Sequence, residues 1–275
     1  MRNIKYIGRD IDIQVRDNYI NLYYKGASLT KFEWKSNGKY SIEISEEYFK
    51  PAEPEGFIEF RLKRQRDKSK IWICKFDNTS INKLEKKFKE IVLQLKRNIR
   101  YLGKGQENAF EQLFIDNNLK EKYNPEFIIL DRQIVVGKLD RLDLIALSKI
   151  QKSDKYRINL IELKYGEDPR IPDVHNEQLN KYYTMFFNDY EHIATEYENI
   201  IKQKIAISRW PYSKIKYVIS KDKNTMRKIA IFGNIDEKNA LIEQAKKQFD
   251  KNTYYAVQNN VLNEKHLRNR NQCNS

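Results

Sequence analysis

Gly137-Lys-Leu-Asp-Arg-Leu-Asp-Leu-Ile-Ala-Leu147 and, after a polar stretch, Ile158-Asn-Leu-Ile-Glu-Leu-Lys164 decide the fold. Both segments are apolar and strand-like, and Ser153-Asp154 lies near the midpoint between them, so a β-hairpin is predicted. Folding the chain about that turn brings Asp143 close to Glu162. Period-two alternation puts Glu162 and Lys164 on one face of the strand, with Ile161 and Leu163 on the other. Asp and Glu are depleted in strands and costly to half-bury. Two carboxylates and an ammonium among apolar positions make sense if a hard cation bridges the acids, because Mg²⁺ favours carboxylate oxygen. Asp140 is an alternative to Asp143. An odd separation of three places the two on opposite faces, so only one is expected to coordinate, and the hairpin position favours Asp143.

Around this hairpin the pattern from Gln106 reads helix, strand, strand, helix, strand. Glu107 to Asn118 suits a helix with Phe110, Leu113 and Phe114 on one side. Ile128–Leu130, Gln133–Leu147 and Tyr156–Lys164 suit strands, and Val174–Asn188 suits a helix. Lys214–Ser220 and Arg227–Gly233 are strand-like, and Asp236 is placed as the cap of a helix running to about Asp250. The last ~25 residues are polar and expected to be loose. The alternation predicts an α/β (α+β) class with a mixed sheet flanked by helices. On the helix, Gln178 and Tyr182 are four residues apart and so share a face. A Gln can orient a water or a phosphate oxygen, and a Tyr hydroxyl can hydrogen-bond a phosphate.

Upstream the chain is β-rich. Ile11–Val15, Tyr19–Tyr24, Phe32–Lys35 and Tyr40–Ile44 read as strands, and Asn37-Gly38 supplies the positive φ angles of a tight hairpin. Phe57–Leu62 and Lys70–Phe76 read as two more, joined by the basic tip Lys63-Arg-Gln-Arg-Asp-Lys-Ser-Lys70. Asn78-Thr-Ser80 is placed to cap a helix with Ile81, Leu84, Phe88, Ile91, Val92 and Leu95 at helical spacing. The expected division is a β-rich module over 1–100 and an α/β domain over 101–275.

The chain of 275 residues carries 52 basic and 38 acidic side chains, net +14. Residues 1–49 are near neutral (+1), 50–100 strongly basic (+8), 101–200 acidic (−5) and 201–275 basic (+10). Basic flanks attract a polyanion; an acidic centre repels one unless a cation neutralises it. Cys74 and Cys273 are too few and too far apart for a disulfide framework or a cysteine zinc site. His175, His192 and His266 lack metal-ligand spacing and are read as surface residues. There is no phosphate loop of the G-x-x-x-x-G-K-[ST] kind, no G-x-S-x-G elbow, and no apolar run near the ~20 residues a spanning helix needs. The first ten residues alternate charged and apolar side chains without a signal-peptide core, so a soluble, cytoplasmic protein without a membrane partner is expected.

These residues together resemble the PD-(D/E)xK phosphodiesterase superfamily, the restriction-endonuclease-like nucleases, over about Gln106 to Gly233. Asp143 matches the acidic residue of the first core hairpin strand, and Glu162-Leu163-Lys164 matches the E-x-K. Gln178 with Tyr182 looks like the Q-x-x-x-Y element of some branches. Glu107, or alternatively Glu111, matches the helical glutamate that often precedes the core, with Glu107 fitting a little better because Phe110 and Phe114 follow at +3 and +7. The literal Pro-Asp pair is absent. The resemblance implies a restriction-endonuclease-like sheet and Mg²⁺ (or Mn²⁺) held by Asp143, Glu162, a backbone carbonyl at Leu163 and Glu107, with Asp140 and Glu111 as alternatives. It implies that Lys164 orients or deprotonates the attacking water. The expected function is a metal-dependent nuclease, DNA favoured over RNA, in a restriction, repair or anti-phage setting. The basic hairpin, the Lys-rich helix and the C-terminal cations would contact the backbone. The first module would hold substrate, a protein partner or a second copy in a homodimer. The rival expectation is a non-catalytic module on the same fold that binds nucleic acid or a protein.

Overall fold

The computed structural model describes residues 11–16, 18–49, 60–65, 70–77, 81–102, 106–118, 126–136, 140–206, 218–258 and 261–269. The chain divides into two units, Met1–Asn108 and Ala109–Ser275. Both are built on sheets, so the class is mixed α and β.

Among the described residues, the first unit holds a six-stranded antiparallel sheet: β1 (Asp12–Val15), β2 (Tyr19–Tyr24), β3 (Ala27–Ser36), β4 (Lys39–Ser45), β5 (Arg61–Arg64) and β6 (Lys70–Asp77), in the order β1-β2-β3-β4-β6-β5. Asn37 (φ 48°) and Gly38 (φ 70°) make the tight β3–β4 turn that Asn-Gly favours. Helix α1 (Ile81–Leu102) covers one face, with the Phe88 ring edge-on to Phe32 at 4.7 Å. Residues 57–59 of the predicted fifth strand, the tip 66–69, the cap 78–80 and the break 103–105 lie outside the described residues.

The second unit is organised by β7 (Phe127–Val136), β8 (Asp140–Lys149) and β9 (Lys155–Tyr165), an antiparallel meander. β11 (Arg227–Gly233) lies parallel to β9, β12 (Thr253–Val257) parallel to β11, and β13 (Arg268–Asn269) antiparallel to β12, while β10 (Val218–Ile219) extends the far side of β9. Parallel neighbours need crossovers, and helices supply them. A π turn (Val174–Leu179), α3 (Asn180–Asn188) and α4 (Tyr190–Ala206) join β9 to the far strands, and α5 (Ala240–Gln248) joins β11 to β12. Alternation sorts β9 cleanly. Ile158 and Leu160 pack with Tyr182, Phe186 and α4 on one face; Ile161 and Leu163 pack with Phe110, Phe114 and Ile115 of α2 (Gln106–Asn118) on the other. The side chains of α2 approach so closely that Gly233 has no room for a methyl group: a Cβ there would stand 2.6 Å from the Phe110 ring. Gly233→Ala is therefore expected to cost about 1–3 kcal/mol through overpacking, read as a lower urea midpoint at unchanged slope.

Three expectations are corrected. The tail expected to be loose contains β12 and β13: Tyr255 and Ala256 bury apolar side chains, and the buried Thr253 donates its hydroxyl to Asp250 at 2.7 Å. Helix α5 is capped by Asn239, whose side chain accepts from the Leu241 N–H, whereas Asp236 caps the preceding turn. And α4, whose Ala194, Tyr197, Ile200 and Ile201 form a buried stripe, stands where the reading above placed no element. Among the described residues no helix is long and apolar enough to cross a membrane.

Candidate functional site

The hairpin β8–β9 is regular until it reaches Asp143. The strand pairing runs from Lys149–Tyr156 to Leu144–Ile161. Beyond it the Asp143 carboxylate takes the Leu163 N–H, with Oδ2 at 2.7 Å. Leu142 and Ile145 belong to the same core cluster although three residues apart, so the face alternation slips at Asp143. Across the hairpin, Gln133 lies between the pairs Arg132–Leu144 and Ile134–Leu142 and has φ +47°. A non-glycine residue held there is strained, a pattern that clusters at functional sites. This local break in the pleat lets the Asp143 carboxylate reach the backbone of β9. It also weakens the face argument that separated Asp143 from Asp140; the Asp140 side chain lies outside the described residues.

On β9, Glu162 and Lys164 share a face, both buried, with Lys164 Nζ donating to Glu162 Oε1 at 2.8 Å. Leu163 is buried on the opposite side. A third carboxylate reaches the group from α2, and it is Glu111. Its Oε1 accepts from Arg132 Nε at 2.9 Å and its Oε2 from Gln133 Nε2 at 3.2 Å, while Arg132 Nη1 also donates to Gln112 at 2.7 Å. Arg132 is fully buried in these contacts. Glu107, one turn earlier, is exposed. The placement brings Glu111, the alternative to Glu107, to the group. The helical face that buries Phe110 and Phe114 continues through Glu111, which meets the Arg132 guanidinium rising from β7.

The electrostatics converge on Asp143. Burial pushes its carboxyl well above the usual range, and the negative charges of Glu162 and Glu111 push it further, against the opposing pull of Lys164 and the Leu163 N–H. Three carboxylates and two cations thus share one buried neighbourhood with an excess of negative charge. Among the described residues no three His, Cys, Asp or Glu side chains stand close enough together to hold a metal ion. The carboxylates are turned instead toward Lys164, Arg132 and the Leu163 N–H.

Gln178 and Tyr182, expected on one helical face, have different surroundings. Gln178 lies in the π turn, where the Asn180 N–H bonds back five residues to the His175 carbonyl. Gln178 is half-buried, while Tyr182 is in the core and donates its hydroxyl proton to the Arg141 carbonyl at 2.8 Å. Tyr182 thus braces β8 two residues before Asp143. His175 is also corrected from a surface residue: it is buried, its Nδ1 is 3.2 Å from Thr253 Oγ1, and burial followed by the nearby Lys228 charge lowers its pKa. Lys228, buried, links Asp250 (2.6 Å) to Asn180 at the start of α3 (2.9 Å). The sequence reading missed Arg132 and Lys228; a basic residue inside an otherwise apolar strand was the available signal for both. No family model, no curated protein and no solved structure matches this chain.

Proposed function

We propose that the second unit is a metal-dependent phosphodiesterase on a restriction-endonuclease-like fold, cutting nucleic acid with DNA favoured. The observation that carries this reading is the meeting of Asp143, Glu162 and Lys164 at the break in the β8–β9 hairpin, with Glu111 added from α2. The order helix, three antiparallel strands, helices and a parallel strand supports the same reading.

The residues fit a hard divalent cation: the donors are carboxylate oxygens, and the surplus negative charge that lifts the Asp143 pKa is what such a cation would offset. Asp143 and Glu162 would hold it, with the Leu163 carbonyl as a further oxygen donor, and Glu111 would join them only by moving closer. A bound Mg²⁺ or Mn²⁺ would acidify a water and offset the charge developing on the phosphate. Lys164, on the same face as Glu162, would hold the attacking water or the phosphate oxygen by its ammonium N–H groups. The hairpin break fixes the Asp143 carboxylate before substrate arrives, so little reorganisation is needed during reaction. The attacking water gives its proton to solvent as its P–O bond forms, the P–O bond to the departing alkoxide breaks, and solvent protonates the alkoxide.

The test is incubation of the full chain with single- and double-stranded DNA and RNA under Mg²⁺, Mn²⁺ or EDTA. Cleavage of at least one substrate with metal, and of none with EDTA, is expected. Binding that is indifferent to metal, with no substrate cut, would replace this reading by that of a non-catalytic module.

A further inference from the structure

Strand β9 ends at Tyr165, one residue past Lys164, and a short loop follows that is fastened along its length. The Gly166 N–H donates to the Gly233 carbonyl at 2.8 Å, and Gly166 takes φ +66°. Glu167 accepts from the Asn239 side chain at 2.9 Å, which ties the loop to the cap of α5. Ile171 is fully buried in the cluster with Phe232 and Phe249. Between these anchors Asp168 and Arg170 form a turn of their own. The Asp168 carboxylate accepts from the Arg170 N–H at 2.8 Å, from its Nε at 2.9 Å and from its Nη2 at 2.5 Å.

The two partners differ in exposure. The Asp168 side chain is only 10% exposed, the Arg170 side chain 61%. The carboxylate is wedged into the loop and the guanidinium projects from it. The Lys164 charge bears on Asp168, so the turn lies within electrostatic reach of the E-x-K strand. An exposed ion pair of this kind contributes little to stability, about 0–1 kcal/mol. Holding a long side chain in one geometry has a clearer value for recognition. It removes rotamer freedom before a ligand arrives, and the planar guanidinium matches a phosphate better than an ammonium does.

We propose that Arg170 anchors the substrate by taking a backbone phosphate of the nucleic acid, with Asp168 as the residue that positions its guanidinium. This rests on the phosphodiesterase reading for the identity of the ligand, and on the loop geometry for the residue. Arg170→Ala is expected to lower kcat/KM about 10-fold, chiefly through KM, since one lost charged contact amounts to about a factor of ten. Arg170→Lys recovers part of this and Asp168→Asn loses a smaller part. Binding is measured separately, in EDTA, by anisotropy of a fluorescein-labelled oligonucleotide and its duplex over a range of salt. There Arg170→Ala is expected to weaken binding and reduce the slope of log K against log salt by about 0.7–0.9, the value for one phosphate contact. Unchanged affinity and slope, or no nucleic-acid binding by the wild-type chain, would overturn the assignment. If wild type binds but cuts nothing with any metal, the hydrolytic reading fails while the anchoring role is still decided by the slope.

Discussion

Glu162→Gln is expected to lower metal-dependent cleavage by about 10³-fold or more in kcat, with the protein still folded. The choice of substitution follows from burial. Glu162 and Lys164 are both essentially inaccessible and bonded to each other at 2.8 Å. Truncating one partner to Ala would leave a buried charge alone, at about 3–5 kcal/mol, and loss of activity could then mean loss of fold. Gln keeps an oxygen for the Lys164 ammonium and removes the charge. The double replacement Glu162→Gln with Lys164→Met removes both charges and preserves volume, and is expected to stay within about 2 kcal/mol of the wild-type stability. Both variants are followed by cleavage rate and by urea unfolding. A folded double variant that still cuts within tenfold of wild type would remove Glu162 and Lys164 from the chemistry.

Asp143→Asn is expected to abolish cleavage and to raise the stability of the metal-free protein. The sign follows from the direction of the shift. The Asp143 pKa is raised in the folded state by burial, then by Glu162 and Glu111. The folded protein therefore binds the proton more tightly than the unfolded chain does, and stability falls as pH rises from the ordinary Asp value through the folded one. Below that window the group is protonated in both states and the substitution changes little. Above it, the amide removes a carboxylate held against two like charges, while its oxygen still accepts from the Leu163 N–H. A gain of about 1–2 kcal/mol at pH 8, vanishing near pH 4, is the expected outcome, since relieving a functional-site strain commonly yields that much. Thermal melts of both proteins in EDTA across that range are the measurement. A variant less stable than wild type at pH 8 would mean that Asp143 is not held against like charges.

Much of the hairpin was legible because strand alternation is a local signal. Ile158, Leu160, Ile161 and Leu163 announce two buried faces, and that leaves Glu162 and Lys164 as the anomaly to be explained. Glu111 was harder. Its surroundings depend on Arg132, which is 21 residues away on another strand, and helical spacing alone slightly favours Glu107, with Phe110 and Phe114 at +3 and +7. The slip at Asp143 was illegible for a related reason. It coincides with the φ +47° of Gln133, and nothing in a Gln side chain advertises a left-handed backbone. β12 was passed over because Thr253-Tyr-Tyr-Ala-Val257 sits in a polar tail whose composition masks five residues of strand.

The widened turn at Val174–Leu179 amounts to one surplus residue wound into a helix. Excising a single residue from it would restore ordinary winding and leave the segments on either side facing as they do now, because the wide turn absorbs the surplus. The chain connecting the E-x-K strand to its crossover thus holds one residue of slack, which can be gained or lost there without turning the strand or the helix on either side.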